Sequence, residues 1–322
     1  IPLRILRRTQ GVKFDEMVPS DIPKMSGIDR VIHGPNAISP GPIEDSNPPV
    51  KRPWYMHPGQ DDNLLENLDQ NNLQACHDYA LIEKTIIDIE REIEHAFIST
   101  QTTKTLPNYI SLNNDTTNQD TLIIDFGKDN YLHLGHLKRG EIIIIYNKFL
   151  YDNGANISTT FTDFYINNNL VQGNIILSNT GFNENENLEF SLEINDLRLN
   201  TENGIINLNG NYNKEMVEGF STQYQYLDNV YHVSGNATGN SVNNNSFNIN
   251  ISDSTIHNLS CFQTSSCIIT KGLTQVNPSI YDQRILDYGN GNCDCEISAI
   301  IEEGYKSLKE GQKVKFEVTD GP

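Results

Sequence analysis

Apolar and polar residues alternate along most of the segment from residue 140 to residue 301. Residues 188–194 show the pattern most clearly, because every even-numbered residue there is apolar and every odd-numbered one is polar. A period of two places alternate side chains on opposite faces of a β-strand, so one face meets a core and the other meets water. The alternation returns at residues 206–212 and 247–251. The pattern therefore predicts a half-buried sheet.

Short runs of Asn separate the alternating phrases, for example at residues 167–169 and 243–245. Asn tolerates the positive φ values that tight turns require. The parity of the alternation also changes at Asn195 and Asp196, which predicts a hairpin turn at that point. We therefore expect a mainly β fold, an antiparallel meander of roughly ten strands that forms a sandwich or a half-open barrel.

A different period predicts one amphipathic helix, from about residue 73 to residue 98, packed on the sheet. Its apolar residues recur at steps of three and four and form one stripe: Tyr79, Ile82, Ile86, Ile89, Ile93 and Phe97. Charged residues fill the other side, where we expect a solvated face: Glu83, Lys84, Glu90, Arg91 and Glu94. His77 and His95 are expected near the helix ends as solvated or capping residues.

The chain divides into four predicted segments. Residues 1–65 form a Pro-rich arm, residues 66–120 the helix and a polar linker, residues 121–301 the β domain, and residues 302–322 a C-terminal hairpin. Ten of the 13 prolines lie in residues 1–60. Because proline removes a hydrogen-bond donor and restricts φ, this arm is not expected to form a regular sheet.

The formal net charge of −19 is unevenly distributed along the chain. Residues 1–60 hold 8 basic and 6 acidic residues, so the acidic excess lies on the strand region and its flanks. An acidic surface repels nucleic acid and anionic bilayers, so neither is an expected partner. No apolar run approaches the roughly 18 residues of a spanning helix. The chain starts without Met, signal core or lipid-accepting Cys, which indicates processing or truncation.

Catalytic motifs that depend on spacing are not found in the sequence, so we expect a non-enzymatic protein with no catalytic or cofactor-binding residues. A catalytic triad does not require residues that are close in the sequence, so a triad assembled by the fold remains an alternative. His133 and His136 are three residues apart, so on one strand they would face opposite sides, as surface or turn residues. One hypothesis for a metal site is a calcium-binding loop, because four residues with side-chain oxygen atoms lie close together in the sequence: Asp287, Asn290, Asn292 and Asp294.

An ordered series of phrases between Cys76 and Ile301 resembles the uncharacterised secreted lipoproteins of Bacteroidetes-type bacteria. The phrases are residues 139–146, 160–167, 171–173, 178–181, 217–220, 228–239 and 287–294. The resemblance implies a β-protein that is secreted, periplasmic or held at the outer membrane and cell surface, with no assigned activity. Independently of the resemblance, the acidic, Asn-rich surface suggests a glycan, a peptide or a cation as the ligand.

Export would make four of the five cysteines candidates for disulfides: Cys261, Cys267, Cys293 and Cys295. Cys261 and Cys267 are spaced to bridge a hairpin, whereas Cys293 and Cys295 would lie on one face of a strand and do not bond easily. Cys76 is expected to stay unpaired. The alternative is a zinc site formed by the same four cysteines with His257.

Both ends of the chain resemble other families. Residues 51–65 look like the entry into a small cupin barrel, which implies a metalloenzyme with His57 as a metal ligand. Residues 298–322 resemble the second half of a bacterial cold-shock domain, which stacks single-stranded nucleic acid on aromatic side chains. Resemblances to three unrelated families follow one another along the chain. A further hypothesis is therefore that the chain is a composite, that is, a fused, misassembled or engineered sequence. The leading expectation is a structural or ligand-binding β-protein.

Overall fold

One long helix and one large β-sheet make up the fold, which we describe from a computed structural model. The structure describes residues 61–114, 119–222, 224–264, 267–293 and 297–301, and three two-residue strands near the N terminus. Side chains are described within residues 73–293 of these ranges, except residue 114, and for Ile297. Residues 14–60 and 302–322 lie outside the description, and with them the predicted cupin-like site at His57 and the cold-shock-like hairpin.

Helix α1 spans Asp61–Thr102 and is therefore longer at both ends than the stripe predicted. The strands are β1 Leu3–Arg4, β2 Leu6–Arg7, β3 Val12–Lys13, β4 Ile110–Asn114, β5 Asp120–Asp125, β6 Tyr131–His133, β7 His136–Tyr146, β8 Asn156–Ile166, β9 Asn169–Phe182, β10 Leu188–Thr201, β11 Gly204–Glu218, β12 Val230–Asn240, β13 Ser246–Asn258, β14 Ile269–Pro278, β15 Arg284–Asn290 and β16 Ile297–Ile301. Short 3-10 helices lie at Phe220–Thr222, Tyr226–Asp228 and Leu259–Gln263.

The sheet is an antiparallel meander, as predicted. From β7 to β16 each strand pairs with its neighbour in sequence, and β5 and β4 continue the sheet beyond β7. β4 lies inside the segment interpreted as a polar linker, so the antiparallel part of the sheet begins at Ile110 and not at residue 121. Strand β1 adds in parallel to β16, and β6 pairs with β7. The sheet stays open, with β4 and β1 at its edges.

The sheet curves around helix α1. Glu83 of the helix contacts Tyr288 of β15, and Glu92 contacts Lys138 of β7. β7 and β15 are eight steps apart in the strand order, which in a flat sheet would separate them by about 38 Å. The two helix residues are only about 14 Å apart along the helix axis. The sheet must therefore bend so that both of its halves reach the same helix.

The alternating residues behave as predicted. Leu188, Phe190, Leu192 and Ile194 of β10 are each at most 4% exposed, and they face the apolar stripe of the helix within one core. The burial of this shared core is the main source of stability that the sequence pattern encodes. The stripe residues of α1, from Tyr79 to Phe97, are buried as expected.

Two turns follow the Asn-rich phrases, but one predicted turn is a bulge. Asn167 and Asn168 have φ values of 48° and 67°, and Asn244 has 63°, between the expected strand pairs. Asp196 also has a positive φ, yet β10 continues through it, and its register with β11 shifts between Ile194 and Leu197. The hairpin predicted at this point is wrong, because a β-bulge reverses the parity of a strand as a turn does.

A disulfide joins Cys261, which follows β13, to Cys293, which follows β15. The hairpin bridge predicted between Cys261 and Cys267 is therefore wrong, and Cys267 is disulfide-bonded elsewhere. Cys261, Cys267 and Cys293 therefore have no free thiolate, so the zinc alternative loses three of its five ligands. Cys76 is unpaired, as predicted, and it is buried.

Removal of the Cys261–Cys293 bridge is expected to lower the free energy of unfolding by about 2–4 kcal/mol, because the bridge closes a long loop in the unfolded chain. The variant is Cys261→Ala with Cys293→Ala, and the measurement is urea unfolding without reductant. Adding reductant to the wild-type chain should reproduce at least this loss. Equal midpoints for oxidised wild type and variant would contradict the expectation.

Candidate functional site

The charged side of helix α1 is covered rather than solvated, because Glu94 is buried and the other four residues named for that side are half-buried, so the predicted solvated face is wrong. No described helix residue from Leu73 to Thr100 is exposed. Glu92 and Glu94 are only 1% and 7% exposed. A buried carboxylate is costly unless it is hydrogen-bonded or paired with a cation. Each buried carboxylate among residues 73–102 of the helix therefore needs a partner, either from the sheet or from the helix itself.

The hairpin β6–β7 supplies two of these partners. Leu134 and Gly135 form its turn, with φ values of 47° and 86°, and His133 pairs directly with His136 across it. Directly paired residues lie on one face of a hairpin. The chain reversal thus places both imidazoles on the helix side, and their side chains are only 12% exposed. The prediction of opposite-facing surface residues is wrong for this reason.

Glu92 is held by His133 and Lys138. His133 Nδ1 lies 3.0 Å from both carboxylate oxygens, and Lys138 donates to the same carboxylate and, at 3.0 Å, to the carbonyl of His133. Burial opposes ionisation of Glu92, but the hydrogen bond from His133 and the charge of Lys138 outweigh it and lower the pKa. Burial lowers the pKa of Lys138, and Glu92 opposes that effect. The pair is an ion pair inside the protein.

Asp88 forms a second polar contact with the same hairpin. His136 Nε2 and Lys84 Nζ each lie 3.3 Å from its Oδ2. Burial again opposes ionisation, but the hydrogen bond from His136 and the charge of Lys84 lower the pKa of Asp88. His95 packs edge-on against His133, and burial lowers its pKa. His77 lies within the helix, since α1 begins at Asp61, so neither His caps an end.

Two further helix carboxylates accept hydrogen bonds from uncharged groups, namely tyrosine hydroxyls and one carboxamide. Glu94 accepts hydrogen bonds from Tyr151 and, at 3.0 Å, from Asn229. Burial raises the pKa of Glu94 to about 7, although these bonds favour the ionised form. Glu83 accepts from Tyr79 at 2.8 Å and Tyr288 at 2.7 Å, and burial also raises its pKa to about 7.

These buried groups are arranged to hold the helix in the sheet. Glu90 pairs with Lys214 of β11 at 2.5 Å, beside two cavities of about 30 Å³ each. Such a cavity has room for a few water molecules at most. The contacts join strands across the whole curved sheet to one helix. Their geometry therefore explains the architecture, and the cavities are too small for an organic substrate.

A carboxylate, an imidazole and a hydroxyl do meet in series at Glu92, His133 and Tyr109. His133 Nε2 lies 3.1 Å from the Tyr109 hydroxyl, so the fold assembles an arrangement that the sequence did not indicate. Burial and the charge of Glu92 raise the pKa of the Tyr109 phenol. A nucleophile needs a lowered pKa or an activating base. The raised pKa keeps the Tyr109 phenol protonated at neutral pH, so Tyr109 could act as a nucleophile only if His133 accepted its proton.

The outward surface of strands β11–β14 carries a different polar group, which we call the amide face. Its nine residues alternate with buried ones, and none of them is buried: Asn209, Asn211, Asn213, Asn236, Thr238, Asn248, Asn250, Gln275 and Asn277. Eight of the nine carry a carboxamide and none carries a charge. In a chain with a net charge of −19, this is a distinct neutral surface.

Strand register aligns the amide face in two rows. The first row is Asn211, Asn236, Asn250 and Gln275, each directly opposite the next on the neighbouring strand. The second row, one pleat along the strands, is Asn209, Thr238, Asn248 and Asn277. The period-two pattern indicated that these residues point outward. It did not reveal that residues from four separate phrases lie side by side.

The predicted calcium residues lie at one end of the sheet. Asp287 belongs to β15, and its Oδ1 accepts a hydrogen bond from the Gly289 N–H at 3.0 Å, as Asp125 does from Gly127 at 2.7 Å. The sequence Asp-aromatic-Gly thus occurs twice, at residues 125–127 and 287–289, and in both places the Asp side chain accepts a hydrogen bond from the backbone two residues later. Asn290 and Asn292 are exposed, and Asp294 lies outside the described residues. Within those residues no cluster of three His, Cys, Asp or Glu side chains is placed to hold a metal.

No protein-family model and no solved structure matches the chain. The cold shock-like protein CspA of Stigmatella aurantiaca (strain DW4/3-1) is 53% identical over 36 residues, which are 11% of this chain and 53% of that protein. The chain thus spans about half the length of this curated relative. The match supports a short cold-shock-like fragment, and the lipoprotein-type and cupin-like resemblances stay predictions.

Proposed function

We propose that the protein is a non-enzymatic, exported binding protein whose amide face recognises an uncharged glycan. The observation that carries the proposal is the neutral, two-row array of carboxamides on an otherwise acidic chain. Each carboxamide offers two donors and an acceptor oxygen. A sugar hydroxyl also both donates and accepts. The array therefore matches the hydrogen-bonding capacity of a glycan surface.

Charge favours an uncharged ligand over an anionic one. Acidic glycans and nucleic acids would be repelled by the net charge of −19. A cation would find carboxamide oxygens but no carboxylate among the nine residues of the amide face. A neutral, hydroxyl-rich ligand meets no such repulsion and requires no charged partner.

The amino-acid composition of strands β11–β14 supports a function for the two rows of carboxamides. Asn is disfavoured in β-strands, where β-branched and aromatic residues are preferred. Eight carboxamides at outward positions of four neighbouring strands therefore act against strand formation. Residues that depart from local preference in this way are concentrated at functional sites.

Export is the second part of the proposal. The Cys261–Cys293 disulfide is of the kind that persists in oxidising compartments outside the cytosol. The resemblance to secreted lipoproteins points the same way. Among the described helices, none combines the length and the apolar character needed to cross a membrane.

Glycan binding is tested by affinity electrophoresis and calorimetry of the purified full chain with neutral polysaccharides, namely a β-glucan, a xylan and a mannan. Replacing Asn236 and Asn250 by Thr should weaken binding by about 20-fold, because each lost hydrogen bond contributes about 1 kcal/mol. Thr favours strands, so folding should be preserved. A matched control removes two outward carboxamides elsewhere, Asn156→Thr with Asn174→Thr, and should bind normally.

Two outcomes would contradict the proposal. In one, none of the neutral polysaccharides binds at millimolar concentration, while thermal unfolding shows an intact fold. In the other, the Asn156 and Asn174 control loses as much affinity as the Asn236 and Asn250 variant. Binding would then not be located on the amide face.

A second function, binding of single-stranded nucleic acid, is favoured by the 36-residue match to a cold-shock-like protein. The basic residues of this chain within residues 302–322 would contact the phosphates of the nucleic acid. A labelled single-stranded oligonucleotide should then be retained at low salt and released at high salt. Lys313→Glu with Lys315→Glu should abolish retention. Absence of retention at low salt would remove this alternative.

A further inference from the structure

We infer that the ligand of the amide face is a linear, neutral polysaccharide that lies across the strands, between the two rows of carboxamides. The inference rests on the proposed glycan-binding function and extends it, because it specifies the form of the ligand and its direction. A polymer in this position would contact all four strands β11–β14 at once.

The rows define the direction. Neighbouring members of a row are about 4.8 Å apart, since they lie on adjacent strands, whereas the two rows are separated by about 6.8 Å along the strands. The first row is continuous over four strands. Strand β11 also carries four outward carboxamides in succession, from Asn207 to Asn213, but the oxygens of Asn207 and Asn209 already accept hydrogen bonds from the N–H groups of Asn240 at 2.9 Å and Asp196 at 2.8 Å. A chain-like ligand therefore meets the longest series of partners when it crosses the strands.

Neighbouring residues limit the first row at both ends. Beyond Asn211 the next residue in register is Glu193 of β10, and beyond Gln275 it is Ile285 of β15. A carboxylate and an apolar side chain thus replace carboxamides at these positions. The neutral hydrogen-bonding series is consequently four residues long, which sets the length of ligand that it can contact.

The carboxamides of the rows retain free hydrogen-bonding capacity. Asn211, Asn236 and Asn248 make no side-chain hydrogen bond within the described part of the chain, and none of them is buried. Asn250 Nδ2 donates to Gln275 Oε1 at 3.2 Å, which leaves the Asn250 oxygen and the Gln275 amino group free. Each of these residues can therefore bond to a ligand without breaking the fold.

The energetics favour a polymer over a single sugar. One amide–hydroxyl bond strengthens binding by only about fivefold, because it replaces bonds to water. Association must first offset the loss of translational and rotational freedom. The face is an outward sheet surface, so a single sugar would make few of these bonds. Useful affinity then requires several consecutive sugar units, each contributing its own bonds.

The test is a calorimetric length series of oligosaccharides, from one to eight units, of whichever neutral polysaccharide binds. We expect affinity to rise steeply up to about four units, at about fivefold or more per unit, and then to level off. Replacing the row ends, Asn211→Thr with Gln275→Thr, should lower the affinity for four units by about 20-fold and leave that for two units unchanged. Asn156→Thr with Asn174→Thr is again the matched control, since both residues lie outside the amide face, and it should have no effect.

Failure of the inference is distinguishable from failure of glycan binding. If single sugars bind as tightly as long oligosaccharides, or if the row-end variant binds four units as tightly as the wild type, the cross-strand polymer is wrong while glycan binding stands. If no neutral glycan of any length binds, both the cross-strand polymer and the proposed glycan-binding function are wrong.

Discussion

Replacing Lys138 by Met is expected to lower the free energy of unfolding by about 3–5 kcal/mol. Lys138 and Glu92 are each 1% exposed and form an ion pair between β7 and helix α1. Met fills a similar volume, so little packing is lost. The variant instead leaves the Glu92 carboxylate buried without its cation, and that desolvated charge carries the cost. Urea unfolding at neutral pH, analysed by linear extrapolation, measures the loss.

Two further variants make the Lys138 result specific. Lys271→Met removes an exposed lysine from β14 and should change stability by less than about 0.5 kcal/mol. Glu92→Leu combined with Lys138→Met removes both charges and should recover part of the loss, because a buried pair replaced by apolar residues is often neutral. A loss below about 1 kcal/mol for Lys138→Met alone would mean that His133 suffices to hold Glu92.

Replacing Glu94 by Gln is expected to stabilise the protein by about 3 kcal/mol above pH 7 and to leave it nearly unchanged at pH 4. Burial raises the folded-state pKa of Glu94 from 4.5 to about 7. The protonated folded form therefore contributes its full stability below pH 4.5, and this contribution is lost as the pH rises to about 7. The gap between the two pKa values corresponds to about 3 kcal/mol. Gln stays neutral, and its oxygen can still accept from Tyr151 and Asn229.

Urea unfolding at pH 4, 5, 6, 7 and 8 tests this expectation. The gain from Glu94→Gln should grow between pH 4.5 and 7 and then stay constant. Glu193→Gln, at an exposed position of β10, is the control and should show no such growth. Parallel stability curves for wild type and Glu94→Gln across this range would show that Glu94 is already ionised in the folded state at low pH.

The stretches that followed a simple period were predicted well. Residues 188–194 alternate because they form a strand with one buried face, and Tyr79 to Phe97 recur at helical steps because they face that strand. The bulge at Asp196 was predicted to be a turn, because a bulge and a turn both shift the alternation of apolar and polar residues by one position. Helix α1 was predicted too short, because residues before Leu73 lack a clear apolar stripe.

The candidate sites were less predictable. The amide face required the register of four strands, which the composition of each strand does not specify. His133 and His136 were assigned to opposite sides because the two-residue turn between them, at Leu134 and Gly135, was not recognised. The disulfide partner of Cys261 depended on which strand ends meet, and Cys293 is 32 residues away.

The sequence by itself determined the strands, the helix, the turns rich in Asn and the outward direction of the carboxamides, because each follows from contacts between residues close in the chain. The tertiary structure alone decided that the charged side of α1 is covered and that the carboxamides stand in rows. Both depend on how the sheet bends and registers over fourteen strands. That curvature is the sum of small twists between neighbours, and no single stretch of sequence contains the sum.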